Sequence, residues 1–179
     1  MIEKIKQHFE DYLSEFVYGG IDGAVTTFAV VAGATGAKFD TKIILVLGFA
    51  NLIADGFSMS VGAYLSTKSE IELDIKKGKK REDEPSPVIN GLATYISFIV
   101  VGLVPLLAYT VDLIFKLGAS NPFLISIILT ALAFCVIGYL KSRVAHTPLF
   151  RAIMETLVLG LIAAGFAYFL GDFLEGIIT

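Results

Sequence analysis

Asn51, Asp55 and Met59 recur every four residues inside an otherwise apolar stretch that runs from Ile43 to Leu65. On a helix this spacing sets an amide oxygen, a carboxylate and a thioether on one face, each about 6 Å from the next. A second acid, Asp22, lies within another apolar segment. An ionisable group at the centre of a bilayer costs roughly 2.5–3.5 kcal/mol on insertion scales, so each acid calls for a partner there. A metal cation is a partner that all three side-chain types can share. Magnesium and calcium favour all-oxygen sites, and a sulfur ligand moves the preference towards iron(II), manganese(II), cobalt or zinc. Carboxyl groups in a low-dielectric interior tend to hold protons while such a site is empty. A divalent cation must displace those protons, so metal and proton would move in opposite directions.

The elements that must position these residues are membrane spans. The chain of 179 residues is 55% hydrophobic and only 17% charged, against about 25% charge in soluble domains. Mean hydropathy is +0.76. Five apolar segments are long enough to cross about 30 Å of hydrocarbon: Ser14–Gly36, Thr41–Thr67, Pro87–Phe115, Pro122–Leu140 and Pro148–Phe173. Pro87, Pro122 and Pro148 fall at the starts of their segments, where proline is tolerated, and Pro105 is expected to kink the third. Ahead of the spans, Ile2, Ile5, Phe9 and Tyr12 recur at helical spacing and predict a short amphipathic helix over residues 1–13, lying along the membrane surface. The expected fold is an all-α integral membrane protein, a single transporter domain over residues 1–179.

Charge gives the orientation. Of the 14 Lys and Arg, Lys38, Lys42 and Lys116 fall on one side of a five-span arrangement and all the others on the side of the N-terminus. By the positive-inside rule the N-terminus is cytoplasmic. The one sizeable polar stretch, residues 68–86, interleaves Lys68, Lys76, Lys77, Lys79, Lys80 and Arg81 with Glu70, Glu72, Asp74, Glu82, Asp83 and Glu84. It reads as a solvated extension of the second helix followed by a turn at Pro85–Pro87. Glu70 and Glu72, nearest the membrane, give it a second reading as a mouth that collects cations.

Other polar residues have simpler readings. Gly19, Gly20 and Gly23 surround Asp22 and leave room for close helix packing or for local unwinding. Asp112, Asp172 and Glu175 lie near the outer ends and read as solvated. Glu155 follows Arg151 by four residues and reads as its i,i+4 partner. The single Cys135 excludes an intrachain disulfide and reads as a small core residue.

Two motifs carry a family resemblance. Asp22-Gly23-Ala24-Val25-Thr26-Thr27-Phe28-Ala29, with Ala32 and Gly33, resembles the first-span signature of the vacuolar iron transporter family. Ser58 and Met59, with Gly62, Tyr64, Ser66, Lys68, Ser69 and Glu70, resemble its second-span signature, and residues 85–107 and 138–160 resemble the later spans. The resemblance implies a five-span homodimer that moves iron(II), and often manganese(II), out of the cytosol in exchange for protons. It places Asp22 and Met59 on the path at the dimer interface. Three departures stand out. The long cytoplasmic metal-collecting domain of plant-type members is missing, Asn51 stands where the family's second-span acid usually lies, with Asp55 one turn later, and Ala63 replaces another acid.

The sequence therefore predicts a metal path of Asp22, Asn51, Asp55 and Met59, with Glu70 at its mouth. The metal is substrate and no cofactor is held permanently. The expected partners are divalent metal ions, protons, the lipid bilayer and a second copy of the chain, with no nucleic acid, and the short loops point to a prokaryotic inner membrane, or an organelle membrane if the source is eukaryotic. A metal-binding scaffold or sensor that transports nothing is a competing reading. An intramembrane aspartyl protease built on Asp22 and Asp55 is another, but the Tyr-Asp and Gly-x-Gly-Asp motifs of that class do not occur.

Overall fold

The computed structural model describes residues 2–78, 86–116 and 121–178, with side chains described from Tyr12 onward. Six helices follow in order: α1 (Ile2–Gly36), α2 (Thr41–Lys76), α3 (Pro87–Gly102), α4 (Val104–Phe115), α5 (Pro122–Ala145) and α6 (Leu149–Ile178). No strand occurs among the described residues. Among the described residues four helices are long and apolar enough to span a membrane, and α3 with α4, bent by 50° at Leu103, are so together as one broken span, the fifth. Together they make an all-helical integral membrane protein.

The proline expectations account for the element ends. Pro87 and Pro122 open α3 and α5, and Pro105 occupies the first turn of α4. Pro105 has no N–H to return to the preceding turn, so the third span breaks there. The bend is held from outside, because the buried Ser126 hydroxyl on α5 donates to the Pro105 carbonyl at 2.6 Å. At the start of α5, Asn121 accepts from the Leu124 amide at 3.0 Å and caps the helix.

Two expectations about helix extent are modified. The amphipathic N-terminal segment and the first span run together without a break from Ile2 to Gly36. The side chains of Ile2, Ile5 and Phe9 lie outside the described ones. α2 continues past Thr67 to Lys76, and at 1.5 Å per residue its 36 residues reach about 54 Å, well beyond the hydrocarbon. Its charged end, Lys68–Lys76, is thus the predicted helical extension. Lys79–Pro85 lie outside the described residues.

α1 is the central helix. It packs chiefly on α3 and α6, and also touches α2, α4 and α5. Half of its spanning window is buried, against 11% for α6. Lipid tails are as apolar as leucine, so close packing and hydrogen bonds hold such helices together. A Cβ added at Gly19 would lie 2.6 Å from the Thr94 carbonyl oxygen, and one at Gly23 2.5 Å from that of Phe98. These glycines therefore serve close packing of α1 on α3, and the helix does not unwind around Asp22. Hydrogen bonds reinforce the seam. Ser97 on α3 donates to the Phe16 carbonyl on α1; a separate bond ties α3 to α2, where buried Asn90 donates to Thr67 at 2.9 Å. Cys135 is a free, half-buried thiol.

Candidate metal site

α1 and α2 run antiparallel, and two observations align them. Ser14, Glu15 and Tyr18 on α1 line one cavity with Met59, Gly62, Ala63 and Ser66 on α2. Two turns deeper, Asp22 lies near enough to Asp55 for the two carboxylates to act on each other through their charges. Glu15 and Tyr18 are therefore at the depth of Met59–Ser66, and Asp22 at the depth of Asp55. Asn51 lies one turn beyond Asp55 on α2, and on α1 the Thr26 hydroxyl donates to the Asp22 carbonyl at 2.8 Å.

This arrangement brings together most of the predicted site. Asp22 and Asp55 are half-buried near the middle of their spans. Met59, one turn from Asp55, faces the cavity of about 450 Å3 and also packs against the core around Phe98 and Leu52. Asn51 is half-buried, and its Nδ2 is buried without a hydrogen-bond partner among the described residues. Glu70 is not part of the cluster. It is exposed and stands eleven residues from Met59, about 16 Å further along α2, at the charged end of the helix.

The structure adds an acid that sequence reasoning passed over. Glu15 lies seven residues before Asp22, two helical turns away on the same face, and lines the cavity with Met59. Thr94 on α3 stands beside it, 3.3 Å from Oε2. The Thr94 hydroxyl has one proton and also sits 2.9 Å from the Asn90 carbonyl, so the shorter contact takes the larger share. The signal was the spacing itself, hidden because Glu15 sits next to a charged N-terminal segment and resembles a solvated surface acid.

Other polar residues are structural. Glu155 accepts from Arg151 at 2.8 Å, the expected i,i+4 pair, and from Lys141 at 2.9 Å. Glu175, expected to be merely solvated, instead pairs with Lys38 at 2.9 Å. The ion pair holds the Lys38 ammonium above its ordinary pKa, chiefly through the hydrogen bond and charge of Glu175. Among the described residues, one copy of the chain brings no three His, Cys, Asp or Glu together as a ready metal cage.

Five spans, four of them packed around the acid-bearing α1, with a second acid and a thioether on the neighbouring α2, define a polytopic membrane protein with polar residues in its interior. The model of the VIT family matches residues 13–84 and 70–172, and the chain belongs to that family. It is a membrane transporter rather than an enzyme. Among curated relatives it is similar to vacuolar iron transporter homolog 4 of Arabidopsis thaliana, 28% identical over 88% of this chain and 81% of that one. Vacuolar iron transporter 1 of Oryza sativa subsp. japonica is 24% identical over 91% and 86%. The vacuolar iron transporter of Toxoplasma gondii is 42% identical over a shorter stretch, 41% of this chain and 24% of its own.

Proposed function

We propose that this chain exports iron(II), and also manganese(II), from the cytosol in exchange for protons, working as a homodimer with the metal path between the two copies. The observation that carries the reading is the nearness of the Asp22 and Asp55 charges midway along their spans, one turn along α2 from Met59, which lines a cavity with Glu15. The relatives named as vacuolar iron transporters support iron as the substrate. Carboxylates with one thioether suit a borderline divalent ion better than magnesium or calcium.

The path follows from the register. Glu15 and Met59 meet the incoming ion at the Ser14–Ser66 end, which the positive-inside bias assigns to the cytosol. Asp22 and Asp55 take it at mid-depth and release protons as it binds. Asn51 supplies an amide oxygen beyond them, and Glu70 stands outside as a first point of attraction. The dimer is supported by the donor count and by shape. One copy offers two carboxylates at mid-depth, and a twofold partner would double them. On α2, Ala54, Ser58 and Gly62 form an exposed row of small residues, the surface on which a second helix packs closely. The proposed location is a prokaryotic inner membrane.

The test is purified protein in liposomes, with metal and pH reported by separate dyes. Iron(II) flux accompanied by proton flux of opposite sign supports antiport. Metal flux indifferent to a pH gradient would mean a channel, and binding with no flux would mean a scaffold.

A further inference from the structure

The far end of the bundle carries a second cavity, distinct from the metal path. It is an almost wholly apolar groove of about 640 Å3 between α1, α2 and α6, lined by Val30, Ala34, Leu47, Leu170 and Leu174 among others, with Lys38 and Glu175 at its rim. From Ala167 to Ile178 the groove runs about 16 Å along α6 at 1.5 Å per residue. Half of a hydrocarbon core is about 15 Å, so the groove spans one leaflet and ends at headgroup level. The Lys38 side chain is 66% exposed there, with its ammonium 2.9 Å from Glu175. Asp172 adds a second carboxylate within electrostatic reach of the same ammonium.

We propose that this groove binds one acyl chain of a zwitterionic phospholipid, whose phosphate meets Lys38 and whose ammonium meets Glu175 and Asp172. Two arguments select this occupant. The groove opens at membrane depth, where the surrounding medium is lipid chains, and its length matches one leaflet. The rim carries one cation beside two carboxylates, which complements a phosphate joined to an ammonium. An anionic headgroup would meet Lys38 but be repelled by the two acids. The lipid fills the open side of α1 between α2 and α6 and ties the Lys38 turn to the end of α6.

The test is native mass spectrometry of the intact protein titrated with phosphatidylethanolamine or phosphatidylglycerol of identical chains. One phosphatidylethanolamine per chain should survive activation, with at least about tenfold preference over phosphatidylglycerol, a difference of about 1.4 kcal/mol. Leu174→Trp, which fills the groove from an exposed position, should abolish this binding. Glu175→Gln, which leaves the groove open, should weaken the headgroup preference, whereas Lys38→Met should weaken binding of both lipids and keep the preference for phosphatidylethanolamine. Equal retention of both lipids in every variant would reduce the contact to ordinary annular lipid and overturn the proposal. A Leu174→Cys chain in a Cys135→Ser background that crosslinks to a second copy in membranes would overturn it too, since a protein would then cover the groove.

Discussion

Replacing Gly23 with alanine will push α1 away from α3 beside the Asp22 carboxylate. A Cβ at this position lies 2.5 Å from the Phe98 carbonyl oxygen and 2.9 Å from the Phe98 Cα. Ordinary contact begins at 3.4 Å, so the helices must separate by about 0.9 Å along that line. The obstructing atoms are backbone and cannot rotate aside. Phe98 is itself fully buried, in the cluster that holds Leu52 and Val31 and against which Met59 packs, so the displacement reaches the proposed metal path. Overpacking of this kind costs typically about 1–3 kcal/mol. At about 2 kcal/mol, a chain of this size should melt about 4–8 °C lower. The control is Gly165→Ala on α6, where an added Cβ meets nothing within 4 Å and alanine improves helix propensity by about 1 kcal/mol. Circular dichroism melts in detergent, with metal flux measured on the same preparations, test the pair. Gly23→Ala should melt lower and transport less, and Gly165→Ala should melt at or above the parent. Equal melting of the two variants would refute the close α1–α3 approach.

Three further outcomes are expected. Ser126→Ala removes the bond that holds the Pro105 bend and should lower stability by about 1–2 kcal/mol, read as a melting shift with no change in apparent metal affinity. Glu15→Gln should raise the apparent KM for iron(II) roughly tenfold, about 1.4 kcal/mol, while leaving the melt unchanged; an unaltered KM would remove Glu15 from the path. Glu175→Gln should destabilise the protein slightly at neutral pH. Since Lys38 is held above its ordinary pKa of 10.5 by Glu175, the pair's contribution is complete below pH 10.5 and lost as pH rises past the raised value. Melts of parent and variant should therefore converge at strongly alkaline pH, and a constant gap would contradict the assignment.

The membrane spans were legible because hydropathy and proline placement act locally. Pro87, Pro122 and Pro105 sit where the chain starts or bends helices. The four-residue stripe on α2 was legible for the same reason, as helical periodicity alone puts Asn51, Asp55 and Met59 on one face. What the sequence could not supply was the partner of each face. Gly19 and Gly23 announce close approach or unwinding equally well, and only the Thr94 and Phe98 backbone decides between them. Lys38 and Glu175 are 137 residues apart, beyond any local rule. Glu15 was hidden by its position near a charged end, although its two-turn spacing from Asp22 was in plain view.

The central claim is that the facing carboxylates of Asp22 and Asp55 carry the metal across the membrane. Iron(II) flux into liposomes under an imposed pH gradient, compared for the parent, Asp22→Asn and Asp55→Asn, tests it most directly. Each substitution keeps the shape and removes the charge. Loss of metal flux and of its coupled proton flux in both variants, with folding intact, is the predicted result. Parent-like flux in both would place the path elsewhere in the protein.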